Sequence, residues 1–309
     1  MVMYNRFVAG SRYERKSLID WPTLAAIAGF WGLIALIAFH HRHLPTVVVV
    51  AALAVLGGFY MSLQHEVIHG HPTPSKLLNR LMVGVPLGLL HPFARYRDIH
   101  TAHHASDLTN PAVDPESFYV LPEEWQQAGP VRRAVLLANR TLAFRLTLGP
   151  VVAASRMFRA DARASASDWR VASAWVVNIA GGAMVIVTVR SAGIPVWAYL
   201  IGFVYGGSMF TALRSFVEHR AVADGPRSAI VRAGPFLSLM FLNNNLHHTH
   251  HTLPGAAWFR LPELTAAMDA DATVAAGAGT YPSYASIVRR YFLRPFDQPV
   301  HPLSDTISA

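Results

Sequence analysis

Four stretches of this chain are apolar, free of Asp, Glu, Lys and Arg, and long enough to cross a bilayer: 22–39, 44–63, 171–189 and 192–213. About 20 helical residues, each adding about 1.5 Å, cover the roughly 30 Å of hydrocarbon in a membrane. Buried helices of a soluble protein are normally shorter and keep a polar face, so these runs read as transmembrane spans. The first is too long for a secretory signal, and no small-residue cleavage site follows it. Only 14% of the residues are charged, against 52% hydrophobic, which fits a chain that hides much of itself in lipid.

The runs pair into two hairpins, with turns at 40–43 and 190–191. Both turns then share one side. The N-terminus, the segment 64–170 and the C-terminal segment from Arg214 share the other. Of 26 Lys and Arg, only Arg42 and Arg190 fall in the turns. The rest, including a cluster from Arg6 to Lys16, predict that the large segments are cytoplasmic. The net charge of +8 follows from this topology, because the basic residues are dispersed and form no nucleic-acid footprint. Two shorter apolar stretches, 81–94 and 142–154, read as interfacial or re-entrant helices on the cytoplasmic face. A further helix is expected over 263–276, and an extended segment from Pro295. The expected architecture is an all-α integral membrane protein. Four helices in two hairpins carry a cytoplasmic helical cap, with one domain over 1–260 and a cytoplasmic tail over 261–309.

The chain has no cysteine, which excludes disulfides, thiolate metal sites and a cysteine nucleophile, yet it has 16 histidines. Eleven sit in four places: His65, His69 and His71; His100, His103 and His104; His219; and His247, His248, His250 and His251. Residues i and i+3 or i+4 share a helix face. His65/His69, His100/His103/His104 and His247/His250/His251 are therefore stripes of imidazoles, each able to bite one metal centre. His248 lies off its stripe. His40, His41, His43, His91 and His301 read as ordinary core or surface side chains. Nine imidazoles are too many for one ion, whereas two ions with four or five nitrogens each would use them all. Imidazole suits iron, zinc, copper and nickel. Of these readings, two irons at a lipid surface point to oxygen activation, which zinc cannot perform.

The boxes His65-Glu-Val-Ile-His69, His100-Thr-Ala-His103-His104 and His247-His-Thr-His250-His251, set behind paired hairpins, resemble the membrane fatty acid desaturase and hydroxylase superfamily. The likeness runs over about 22–260. It is most like bacterial fatty acid desaturases in 65–72 and 243–251, while 254–262 also resembles the carotenoid ketolase branch. The resemblance implies a non-haem diiron centre with His65, His69, His100, His103, His104, His219, His247, His250 and His251 as ligands and O2 as co-substrate. It also implies an acyl-chain or membrane-lipid substrate, and a bacterial inner membrane. Ser215 stands where some relatives carry an Asn, four residues before the isolated histidine. No cytochrome domain is fused, so an external donor such as ferredoxin, or a cytochrome with its reductase, is expected.

Ligating imidazoles usually donate their second N–H to a carboxylate or carbonyl. Glu66, His71, Asp98, Glu218 and Asn244 are the candidates for that outer layer, with Asp107, Asp114, Asn243 and Asn245 nearby. The acyl chain is expected in a groove between the four spans, its target carbon beneath the cytoplasmic site. Loss of two hydrogens gives a double bond; hydroxylation and ketolation use the same ligands. Among rivals, an intramembrane zinc protease would use HExxH within a span, with Glu66 as base, and leave the other stripes idle. A carboxylate-bridged diiron bundle needs two ExxH pairs, and only Glu66–His69 fits. A metal transporter would place its ligands near the membrane midplane, where these runs have none.

Overall fold

A computed structural model describes residues 19–302. The N-terminal basic cluster from Arg6 to Lys16 lies outside the described residues. The four spans are α1 (Trp21–His40), α2 (Thr46–Ile68), then, after the first cap segment, α9 (Trp169–Ser191) and α10 (Val196–Ser215). Asp20 caps α1 by accepting the Thr23 N–H at 3.1 Å, and Asp168 caps α9 through the Arg170 N–H at 2.8 Å. α2 runs five residues past the expected end of the apolar run, carrying the first histidine box into the span's last turns.

α2 and α10 form the inner pair. Their contact is a glycine seam in which Gly202, Gly206 and Gly207 meet Val50, Leu53, Ala54 and Gly57. A Cβ at Gly57 would lie 2.1 Å from the Phe203 carbonyl oxygen. Small residues let helix backbones approach this closely in lipid, where packing replaces the hydrophobic drive between helices. Beside the seam, Leu200–Gly206 is wound as a π-helix. α1 and α9 flank the pair, and Leu33, Leu36, Val176, Val177 and Met184 face outward as lipid-facing positions.

The stretch expected as a helix over 81–94 is not one. α3 (Lys76–Val83) ends at Gly84, and α4 (Phe93–Ala105) begins after Pro92. Between them, Pro86 and Pro92 cannot continue a hydrogen-bonded helix, and Leu89 takes φ 59°. The segment instead enters the space between the spans, and its backbone oxygens are bonded by span side chains. Tyr60 Oη lies 2.6 Å from the carbonyl oxygens of both Val83 and Val85, which share its one hydrogen; Gln64 donates to Val83 at 2.9 Å, Tyr199 to Leu87 at 2.6 Å and Asn178 to Leu89 at 3.1 Å. Irregular backbone is tolerated at this depth only when protein supplies such partners. The helix expected over 81–94 is corrected to an irregular plug.

The cap continues through α5 (Pro122–Gln127), α6 (Pro130–Ala138), α7 (Leu142–Thr147) and α8 (Gly149–Ala164). The stretch 142–154 thus divides at Leu148, ahead of Pro150. Leu148, Val151 and Phe158 are exposed, as an interfacial helix requires. Asp161 ties α8 inward, accepting from Arg95 at 2.8 Å and from Trp175 Nε1 at 2.9 Å. After α10 come α11 (Pro235–Met240), α12 (His247–Thr252), α13 (Leu261–Ala267), α14 (Ala270–Ala275) and α15 (Tyr284–Tyr291). The single helix expected over 263–276 is broken at Asp269, whose φ is 46°. β1 (Ile230–Val231) pairs in parallel with β2 (Thr280–Tyr281). Residues beyond 261 pack inward: Leu261, Val274, Ile287, Tyr284 and Phe296 are all buried.

Candidate metal centre

Three helices and one loop position bring the stripes together. The end of α2 supplies His65 and His69, α4 supplies His100, His103 and His104, α12 supplies His247, His250 and His251, and His219 follows α10. α12 is only six residues long, and its entry is set by a left-handed turn at Leu242 and Asn243, with φ 48° and 54°. Asn243 steadies that turn by donating to the Trp258 carbonyl at 3.0 Å.

The nine imidazoles form two groups rather than one group per stripe. His65, His69, His100, His104 and His250 make the first; His103, His219, His247 and His251 make the second. Within each, the ligand nitrogens lie within 4.8 Å of one another. The expectation that each stripe bites one centre is therefore corrected. On α4, His100 and His104 turn to the first group and His103 to the second; on α12, His250 turns to the first, and His247 and His251 to the second. The i+4 pairs stay together and the i+3 neighbour crosses over. His104 and His251 stack at 4.1 Å between ring centres where the groups adjoin.

The facing nitrogens are close. His100 Nε2 is 3.1 Å from Nε2 of both His69 and His104, and His104 Nε2 is 3.0 Å from that of His250. In the second group, His219 Nε2 is 3.1 Å from His103 Nε2 and 2.9 Å from His247 Nε2. At three of the rings the outer nitrogen is committed. His103 Nδ1–H donates to Asp114 at 2.7 Å and His100 Nδ1–H to Glu116 at 3.0 Å. His247 Nδ1–H donates to Asn244 Oδ1 at 3.2 Å, with Glu218 3.5 Å away. A carboxylate can only accept, so Nδ1 carries the hydrogen and Nε2 presents its lone pair inward. Burial, and then the neighbouring imidazoles, push His104 and His219 down to about 3 and hold His69, His247, His250 and His251 well below their ordinary value. His103 goes the other way: burial opposes its charge, but Asp114, and then Glu116, raise it. Imidazoles crowded with their ring nitrogens converging are a donor set for a cation, so the residues present fit two metal ions.

Burial opposes the charge on Glu116, but His100, and then His103 and His219, hold its pKa well below the usual carboxylate range. Asp114 is fixed in turn by the backbone N–H groups of Thr109 at 2.8 Å and Glu116 at 2.9 Å. Glu116 escaped the sequence reading because it lies 16 residues from the histidine it contacts; the carboxylate pair Asp114-Pro-Glu116 is the signal that could have found it.

Other expected outer-layer residues lie elsewhere. Asp98 is exposed and bonds Arg97 at 2.7 Å. Glu66 and His71 form a separate group with Asp20, in which His71 Nδ1 is 3.0 Å from Asp20 and Glu66 accepts the Trp258 N–H at 3.0 Å. This group fastens the start of α1 to the first box and to the segment 254–262. Asp107 pairs with Arg227 at 2.8 Å, and Asn245 donates to the Val231 carbonyl at 2.8 Å. His248 Nδ1 meets Ser228 Oγ at 3.0 Å, away from both groups. The open groove expected between the spans is occupied by the plug. Beside the plug lies a crevice of about 10 Å3 bounded by Gly57, Tyr60, Leu90, His91, Phe203 and Gly207.

Four spans carrying two groups of buried imidazoles define a membrane protein built to hold metal. Residues 41–281 match the family model of fatty acid desaturases, and the chain belongs to that family. Its members are oxidoreductases acting on fatty acids. No curated protein matches the chain.

Proposed function

We propose that this protein is an O2-dependent diiron desaturase of an acyl chain carried by a membrane lipid or thioester. The observation that carries the reading is the pair of converging imidazole groups, five and four strong, in which Asp114, Glu116 and Asn244 fix the tautomers of His103, His100 and His247. Iron bound there would supply the reduction of O2 and the removal of hydrogen from an unactivated methylene. The nine histidines hold the metal, and Asp114 and Glu116 raise ligand basicity and fix ring orientation. The plug and the Tyr60, Phe203 and Tyr199 rings exclude water beneath the site. Two hydrogens from neighbouring carbons, O2, two electrons and two protons balance as one double bond and two waters. The electrons come from an external ferredoxin, or a cytochrome with its reductase.

Expression in a bacterium with a compatible reductase, followed by mass spectrometry of the lipids, tests the reaction. A product about 2 Da lighter is expected and must vanish without O2. A product about 16 Da heavier would replace desaturation by hydroxylation, and a ketone on a supplied carotenoid would promote the ketolase reading of 254–262. Unchanged lipids with iron, O2 and reductant present would sink all three.

The basic residues outside the two turns support a cytoplasmic site, with both chain ends on the same side, in a bacterial inner membrane. Reporter fusions at residues 42 and 191 should read outside and one at 120 inside. A fusion at 120 reading outside would overturn the orientation.

A further inference from the structure

Behind the second group of imidazoles, a separate, partly open cavity of about 10 Å3 reaches from His219 to two guanidinium groups, those of Arg140 and Arg145. Both arginines are buried, at 3% and 5% exposure. Arg145 comes from α7, where its Nε donates to the Asn139 carbonyl at 3.0 Å and its guanidinium lies over Phe118, 3.4 Å from the ring centre. Arg140 precedes α7; its Nε donates to the Asp297 carbonyl at 3.2 Å, and its guanidinium lies 4.4 Å from the Tyr119 ring centre. Its Nη2 is buried with no hydrogen-bond acceptor among the described residues.

Neither guanidinium forms an ion pair with a carboxylate of the described residues. The acidic groups around the cavity are engaged elsewhere. Asp114 is held by His103 and two backbone N–H groups, Glu116 by His100, and Asp297 by Arg220 and Tyr119. Two buried cations that lack a counterion are costly, because aromatic faces and single carbonyls offset only part of the lost hydration. Burial, and then the charge of Arg140, push Arg145 down to about 9, which is the same cost seen from the proton.

We infer that the cavity between Arg140 and Arg145 is a binding site for one small monovalent anion of the halide class. Its size admits a single particle near the size of water, which excludes phosphate, sulfate and any lipid headgroup. Asp114 and Glu116 share the wall, each already accepting an imidazole N–H, and Ser117 Oγ donates to the Thr109 carbonyl at 2.6 Å, so the guanidinium groups are the wall's free donors. The site does not depend on the identity of the bound metal.

The test uses the full-length protein in detergent. Thermal unfolding is compared in chloride and in gluconate at equal ionic strength, since gluconate is too large for the cavity. A ligand that binds only the folded state raises the midpoint, and a rise of at least about 2 °C in 0.3 M chloride is expected. Arg140→Gln should remove that difference; if this variant fails to fold, the wild-type comparison still decides. Crystals grown in bromide should show an anomalous peak between the two guanidinium groups. Equal midpoints in both anions with only water in the cavity would overturn the site. A bromide peak without any midpoint shift would mean an adventitious ion only, and would overturn it as well.

Discussion

His103→Ala is expected to abolish turnover and to strip metal from the purified protein, with activity falling at least about 1,000-fold. This side chain supplies one of only four nitrogens to the second group, and its Nδ1 is locked to Asp114 at 2.7 Å. Removing it leaves three ligands and takes one donor from a buried carboxylate in one step. The same measurement has graded controls. Asp114→Asn keeps the volume but weakens the hold on the ring, and outer partners of this kind typically alter metal affinity about 10–100-fold. His248→Ala and Asp98→Ala should retain metal and activity, because one side chain meets Ser228 and the other Arg97. Metal content by elemental analysis, expected at about two irons per chain, reads the series independently of the substrate. Full activity with one tightly held zinc would refute the diiron reading.

Gly57→Ala should cost at least about 3 kcal/mol and leave little folded protein, although it adds one methyl group in an apolar span. The added Cβ would sit 2.1 Å from the Phe203 carbonyl oxygen and 3.0 Å from the Gly207 Cα, and both obstacles are backbone. Relief requires α2 and α10 to part, which also shifts His65 and His69 at the end of the same helix. Gly32→Ala on α1 is the control, since nothing lies within 4 Å of a Cβ there, and it should unfold within a degree or two of the parent. Size-exclusion profile and thermal midpoint in detergent measure both. Equal stability of the two variants would mean that the seam is not a close contact.

Much of this was legible from residue order. Hydropathy placed the spans to within a few residues, because lipid imposes both length and composition on a helix. Imidazole spacing marked eight of the nine clustered histidines, because a helix brings i, i+3 and i+4 to one side, and the family resemblance added the isolated His219. What spacing could not show is that the side faces two centres. A helix lying between two groups sends its i+4 pair one way and its i+3 neighbour the other, and periodicity alone does not say where the targets are. Asp98 misled for a related reason: two residues before His100, it sits about 200° round the helix and meets solvent. Glu66 follows His65 and likewise points elsewhere, toward Asp20, His71 and Trp258. Glu116 and the irregular course of 84–92 depend on contacts distant in sequence, and apolar composition does not distinguish a helix from a plug.

The plug also dictates an order of assembly. Its inner backbone oxygens are held partly by α2, which precedes it, and partly by Asn178 and Tyr199, which stand 89 and 112 residues from their acceptors. A ribosome delivers those two side chains only after the whole first half of the cap has emerged. Until the second hairpin enters the bilayer, Leu87 and Leu89 have carbonyls without their final donors, and the segment between Gly84 and Pro92 must wait at the watery surface. The first hairpin therefore cannot mature alone, and the newborn chain closes its membrane interior and its histidine cluster together, late in synthesis.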